Sequence, residues 1–409
     1  MALLAGGSHA STEDAELRDN VMPNQQLTVQ RIPFHRPTVG QEEVEAIGQA
    51  LREGQLVGNG PVSRAAEARL RELLSASHVL LTSSCTAALE LAFLALDIGP
   101  GMEVLLPSFT FVSCATAVLR SGATPVFVDI RPDTLMLDPA QVERAITPRT
   151  RALLCVHYGG FPCDMERLLA VATKHRLKIV EDAAQGLGSR WKGQALGTIG
   201  DIGCLSFHGT KNITCGEGGA FITRDADLAK RASLMREKGT NREAFLQHEV
   251  DRYNWVETGG SFVLSDLLAA MLLAQLDRME TLQRQRQTIG LRYLQALQPL
   301  AAAGRLQLPL IGDPSAVNWH TFYVVLPSAD ERDRVLSALQ DAGIDARFHF
   351  LPLHSSPFAR RQFGYQPSDL PVTETIAQRC IRLPIYPGLT PEAQDHVIGT
   401  LQRLLDSSP

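Results

Sequence analysis

The chain has 409 residues, of which 44% are hydrophobic and 20% charged, and a formal net charge of −5. That length exceeds what one hydrophobic core usually supports, so two domains are expected. The mild acidity gives no general attraction to nucleic acid, and no apolar run approaches the ~18–20 residues of a membrane span.

The N-terminal stretch MALLAGGSHASTEDAELRDN has too short an apolar run and no cationic lead for a signal peptide. Residues 1–31 are expected to be a flexible tail, with ordered sequence starting near Ile32-Pro33, in a cytoplasmic enzyme. Short apolar runs then alternate with helical ones. The strand candidates are VLL (79–81), EVLLP (103–107), TPVFVDI (124–130), ALLCVHY (152–158), LKIVEDA (177–183), GCLSFH (203–208) and GGAFIT (218–223). Helical segments such as TAALELAFLAL (86–96) and MERLLAVATKH (165–175) fall between most of the first five. Continuously apolar strands separated by helices predict an α/β fold with a mostly parallel seven-stranded sheet, covered on both faces. GCLSFH and GGAFIT lie too close for a crossover helix, so they predict one antiparallel pair.

An apolar-striped stretch runs from Ser265 to about Leu297, and the pattern then changes. NWHTFYVVLP (318–327) reads as a strand, ERDRVLSALQDAGI (331–344) as a helix stopped at Gly343, and ARFHF (346–350) as another strand. Thr390 and Pro391 form a helix-start signal, followed by Val397, Ile398, Leu401, Leu404 and Leu405 at helical spacing. The expected organisation is a large domain over 32–285 and a smaller α+β domain over 286–409.

The seven cysteines, 85, 114, 155, 163, 204, 215 and 380, are odd in number and contain no CxxC spacing. They read as reduced core thiols and support neither a disulfide framework nor a zinc site. No HExxH or triad pattern appears, so no metal is expected.

In open parallel sheets ligands gather at the carboxyl ends of the strands. That rule singles out Asp182 in EDAAQ (181–185) and Lys211 in SFHGTK (206–211), which precedes the glycine-rich turn Gly216-Glu217-Gly218-Gly219. A carboxylate at the end of an apolar strand needs a cationic partner. A protonated pyridine nitrogen meets that need, although a capping or ion-paired aspartate is an equal alternative for Asp182 alone. A lysine beside it suits Schiff-base chemistry, whereas most lysines are simply solvated. Thr82–Ala88 joins a strand to a helix and offers amides and hydroxyls to an anion, a weak signal by itself. Phe111 in PSFTFVS is placed to stack on a planar ring, although a lone phenylalanine after a strand is more often core. His349 and His354 in HFLPLH are candidate substrate-pocket residues, with ordinary hydrogen-bonded histidines as the alternative.

With these motifs the chain resembles the DegT/StrS-type sugar aminotransferases among the fold-type I pyridoxal 5′-phosphate (PLP) enzymes, from about Ile32 to the C-terminus. The resemblance is carried by SCTAALELA, PSFTFVS, VDIRPDTL, VHYGG, EDAAQGLGS, ALGTIG, SFHGTKNIT, GEGGA and HFLPLH. REKGTNR (236–242) and SCTAALE (84–90) look especially like the subgroup that makes dTDP-4-amino-4,6-dideoxygalactose. The resemblance implies that Lys211 carries PLP as a Schiff base and moves protons, that Asp182 pairs with the pyridinium, and that Gln185 binds the phenolic oxygen. It also implies phosphate contacts from Thr86, Ala87 and Ser206, with Cys85 adjoining them, and a stacking role for Phe111. Relatives often bring an Asn from a neighbouring subunit to the phosphate; aligned on Ser265-Asp266, that position is Val263, and Ser261 is the candidate substitute. A homodimer with shared sites, an L-glutamate donor, pyridoxamine 5′-phosphate (PMP) as the aminated cofactor and a nucleotide keto-sugar acceptor follow, with Arg236, Lys238 and Arg242 as candidates for the diphosphate. Competing readings are a same-fold sugar dehydrase, which places histidine where Lys211 stands, a PLP-sensing regulator, and a Rossmann enzyme, for which the glycine fingerprint is missing.

Overall fold

The structure is a computed structural model that describes residues 31–349 and 351–406. Residues 1–30 of the expected tail, and Phe350 of the expected strand ARFHF, lie outside the described residues.

Seven strands form the main sheet: β1 (His78–Thr82), β2 (Glu103–Pro107), β3 (Thr124–Val128), β4 (Thr150–Val156), β5 (Lys178–Asp182), β8 (Ile202–Ser206) and β9 (Gly219–Thr223). A two-residue turn at Lys192-Gly193 joins the small hairpin β6 (Arg190–Trp191) and β7 (Gln194–Ala195) between them. The order across the main sheet is β1-β9-β8-β5-β4-β2-β3. The pairs from β8 through β3 are parallel, and β9 is antiparallel to both β8 and β1. Strands β2, β8 and β9 are buried at every position, as the unbroken apolar runs require for a sheet covered on both faces. The helix Cys85–Ala95 is likewise apolar nearly all round, because it lies among the sheet and the helices Ser113–Arg120 and Ala226–Arg236.

Side-chain caps fix where several helices begin. Ser84 accepts from the Ala87 amide at 3.1 Å, Asp164 from Arg167 at 3.2 Å, Ser328 from Glu331 at 3.1 Å and Thr390 from Ala393 at 3.2 Å.

The C-terminal part holds a second, antiparallel sheet, ordered β10 (Phe322–Val325), β12 (Cys380–Leu383), β11 (Arg347–Phe348). Helices Ala329–Asp341, Pro371–Arg379 and Pro391–Asp406 accompany it. The helix Met279–Ala302 runs unbroken through position 285 and reaches this layer by packing on Pro391–Asp406. Ile32 also belongs here, exchanging backbone hydrogen bonds of 2.9 Å with Gly343 and Asp345. Among the described residues no helix is long and apolar enough to cross a membrane.

β3 ends earlier and β10 begins later than their apolar patterns predict, each because a side chain is used elsewhere. After Val128 the chain turns so that Asp129 caps the helix Pro371–Arg379, accepting from the Val372 and Thr373 amides at 3.0 and 2.8 Å. Asn318–His320 do not extend β10. Trp319 takes a left-handed backbone (φ 50°), and the Asn318 amide crosses to the Gln185 and Leu187 carbonyls at 2.7 and 2.8 Å.

Candidate active site

Asp182 ends β5, and its carboxylate is buried. Oδ1 accepts from the Ala184 amide at 3.0 Å, and Oδ2 from the Cys114 thiol at 2.9 Å. Neither donor carries a formal charge. An anion removed from water with only neutral donors still favours a cation on its open side.

Lys211 lies in the tight loop that links β8 to β9. That loop is closed by Phe207 to Gly218 and Gly209 to Gly216 amide–carbonyl bonds of 2.8 Å, and the Lys211 amide donates to the His208 carbonyl at 2.8 Å. Burial lowers the Lys211 ammonium from its ordinary range, while Asp182, Cys85 and Cys114 oppose the shift. An amine held this way is nearer to its neutral, nucleophilic form than a solvated lysine. The loop is also tied to the C-terminal layer: Asn212 donates to the Asn318 carbonyl at 3.0 Å, and its Oδ1 is 2.9 Å from His320 Nδ1. With its amide donating, Asn212 presents Oδ1 as acceptor, so the His320 proton sits on Nδ1. Burial and then Lys211 push His320 well below the usual histidine range, which keeps the ring neutral.

Gln185, Ser206, Lys211, Asn212, Asn318 and His320 are the polar residues that line one small pocket, with Ala184, Leu187 and Ile213 beside them. Gln185 Oε1 accepts from the Gly159 amide at 2.6 Å, which leaves its Nε2 as the available donor. Gly160 is required behind it, because a Cβ there would collide with the Asn318 side chain, and its φ is 87°.

The opposite wall begins at Ser84. Thr86 Oγ1 is 2.7 Å from Ser113 Oγ, which joins the start of the helix Cys85–Ala95 to that of Ser113–Arg120. Cys85 is half-buried between them, and burial, then Asp182, raise its thiol well above the usual range. The Ala87 amide is already used by the Ser84 cap, and the Ser83 amide by the Phe262 carbonyl at 2.7 Å. Gly219 passes so close behind Ser84 and Cys85 that any Cβ would overlap their backbone, which accounts for the glycine-rich turn. Phe111 stands at the same mouth, half exposed.

Other candidates are placed differently. Arg236 does not face a diphosphate: it is buried, paired with Glu67 at 2.7 Å, and bonded to the Leu81 carbonyl and Asn59, both at 3.0 Å. His349 and His354 do not line an open pocket. His349 is buried against the rings of Phe109 (4.0 Å between centroids) and Tyr158 (4.6 Å), and burial holds it well below the usual histidine range. His354 is buried with Nδ1 2.7 Å from Ser108 Oγ and fastens the segment after β11 to the end of β2. Lys238 is exposed, Arg242 is half-buried and 3.3 Å from Glu237, and Ser261 is exposed one residue before Phe262. Cys114, Asn212, Asn318 and His320 were not singled out by the sequence. The NWH run was readable only as strand, and a buried thiol gives no local signal of its partner.

A mostly parallel seven-stranded sheet with an antiparallel second sheet, and a lysine loop set beside a strand-end aspartate, is the architecture of the fold-type I aminotransferases. The chain belongs to the DegT/DnrJ/EryC1/StrS aminotransferase family, whose model matches residues 37–402. It is 36% identical over 381 residues to the spore coat polysaccharide biosynthesis protein SpsC of Bacillus subtilis, covering 91% of this chain and 97% of that one. Among solved structures it is similar to DesV of S. venezuelae, in complex with a ketimine intermediate (34% identity, TM-score 0.83, 90% of this chain and 95% of that one). It is also similar to NtdA of Bacillus subtilis with bound cofactor PMP (30% identity, TM-score 0.81, 93% and 85%).

Proposed function

We propose that the chain is a PLP-dependent aminotransferase that moves the amino group of L-glutamate to the 4-keto carbon of a dTDP-4-keto-6-deoxyhexose. The products are 2-oxoglutarate and a dTDP-4-amino-4,6-dideoxyhexose. The observation that carries the cofactor reading is the buried Asp182 carboxylate, whose two donors are both uncharged, near the loop lysine Lys211, whose amine feels its charge. A relative of the same family holds PMP.

PLP supplies the electron sink and, as PMP, carries the amino group between the two half-reactions. Lys211 Nζ would hold it, and the same amine would move the proton at the reacting carbon. Asp182 would pair with the ring nitrogen and favour its protonated form, and Gln185 Nε2 would be the donor for the phenolic oxygen. Thr86, Ala87 and Ser206 would receive the phosphate at the start of the helix Cys85–Ala95, with Cys85 beside them, and Phe111 would cover the ring. Ala87 reaches the phosphate only beside its existing Ser84 cap, so Thr86 and Ser206 carry more of that contact.

A homodimer completes the site. Val57, Tyr253, Trp255 and Val256 are exposed in the single chain, Trp255 at 80%, which is unusual for large apolar side chains with no covering partner. Ser261 lies on this side and is the residue offered to a neighbouring phosphate. The sugar assignment rests on the resemblance of REKGTNR and SCTAALE to the subgroup named above, and Lys238 and Arg242 are the cations left for the diphosphate. Lysine at position 211 favours amination over the dehydrase reading.

The test is an absorption spectrum of PLP-reconstituted protein before and after L-glutamate, followed by addition of keto-sugar nucleotides. The expected result is a visible band that gives way to the near-ultraviolet PMP form and is restored by a dTDP-4-keto-6-deoxyhexose. Restoration only by a UDP-linked or 3-keto sugar would overturn the substrate assignment. A band that L-glutamate leaves unchanged would overturn the donor.

A further inference from the structure

We infer that Cys114 is a positioning residue for Asp182: its thiol donates to one carboxylate oxygen and fixes the orientation in which that carboxylate meets a cationic ring. The inference rests on the PLP reading above.

Cys114 is fully buried at the start of the helix Ser113–Arg120, just past the end of β2. Its Sγ lies 2.9 Å from Asp182 Oδ2 and 3.2 Å from Thr110 Oγ1. A carboxylate can only accept, so the thiol is the donor to Asp182, and the Thr110 hydroxyl is left to donate to sulfur. The chain is therefore Thr110 O–H to Cys114 S, then Cys114 S–H to Asp182. The Ala184 amide fixes the other oxygen at 3.0 Å, so the carboxylate plane is held at both ends. The Cys114 amide also donates to the Phe111 carbonyl at 3.2 Å, which ties the aromatic turn to the same anchor.

The groups facing this carboxylate from neighbouring elements are Cys85, Cys204 on β8, and Lys211. Burial, and then the Asp182 charge, push the Cys114 thiol well above its ordinary range, so it remains a neutral S–H donor. A neutral, weak donor orients the anion without cancelling its charge, which leaves that charge for the ring. An arginine or lysine in its place would neutralise the same oxygen.

The competing account is that Cys114 is only a small buried hydrophobe, the commonest fate of a free cysteine. Two variants separate the accounts. Cys114→Ser keeps a donor and loses apolar character; Cys114→Val keeps apolar bulk and loses the donor. The measurement is the PLP dissociation constant of the apoprotein, read with the position of the visible band, alongside the thermal midpoint of each apoprotein. Positioning predicts that Cys114→Ser binds PLP within about twofold of wild type, while Cys114→Val loses roughly three- to tenfold and shifts the band. Cys114→Ala, which cannot overfill the site, is expected to follow Cys114→Val. Wild-type affinity and band in Cys114→Val and Cys114→Ala would overturn the positioning role. If wild-type protein takes up no PLP with a visible band, the PLP reading itself fails, which is a distinct outcome.

Discussion

Glu181 and Asp182 are consecutive, both buried, and point to opposite faces of the sheet at the end of β5. Glu181 is saturated. It accepts from His157 Nε2 at 2.9 Å, from the Gly197 amide at 2.9 Å, and from the Ile199 and Gly200 amides at 2.6 Å. His157 Nδ1 accepts the Cys163 amide at 3.2 Å, so the proton given to Glu181 sits on Nε2. Burial would raise the Glu181 carboxyl, yet the His157 and backbone donors outweigh it and hold it below its usual range. Asp182 has two donors, a thiol and one amide, and its charge acts on Lys211. Glu181 is satisfied by its own chain, whereas Asp182 is left short of donors, as the proposed cofactor role requires.

The comparison breaks most visibly at the lysine. Lys211→Ala is expected to keep the fold and to lose roughly 10⁴-fold in the L-glutamate half-reaction, measured in single turnover. Comparable turnover would remove Lys211 from the chemistry. Asp182→Asn should weaken PLP retention by roughly ten- to a hundredfold, the scale of a hydrogen bond to a charged group, with little change in thermal midpoint. Glu181→Gln should show the opposite: a loss of about 2–3 kcal/mol in denaturant unfolding, with PLP affinity per folded molecule near wild type. Equal behaviour of the two variants would mean that the faces are not divided in this way.

The lysine also gives a pH dependence. Its amine must be neutral to attack the cofactor aldehyde, and burial lowers its pKa. The PLP reconstitution rate should therefore rise with pH and level off below the 10.5 of a free lysine, in stopped-flow absorbance. Asp182 opposes that lowering, so Asp182→Asn should move the plateau to lower pH still. The smallest effect expected is on the diphosphate side. Lys238→Ala and Arg242→Ala should raise KM for the nucleotide sugar by a few-fold with kcat retained, about 1 kcal/mol or less for an exposed and a half-buried cation. Arg236→Ala should instead lower stability, because it strands the buried Glu67.

The legible part of the site is what strand ends and loop chemistry dictate. Asp182 stands out because an apolar run ends on it, and Lys211 because it follows the next strand and precedes a glycine-rich turn; within that turn Gly219 is where the backbone must pass close behind Ser84. All seven main-sheet strands run within two residues of their apolar blocks at both ends; TPVFVDI, ALLCVHY and GCLSFH each end two residues early, the first because Asp129 is drawn into a cap and the second because His157 turns to Glu181. Partners distant in sequence were illegible. The Asn318 to Gln185 bond spans 133 positions and the Cys114 to Asp182 bond 68, and neither leaves a local pattern. The partners of Arg236, His349 and His354 were illegible for the same reason: Arg236 pairs with Glu67, His349 packs on Phe109, and His354 meets Ser108, all far away in sequence.

The most direct test is to reduce PLP-reconstituted protein with borohydride, digest it, and locate the phosphopyridoxyl group by mass spectrometry. The account predicts a single labelled peptide with the group on Lys211. Labelling of another lysine, or none after reconstitution, would contradict it.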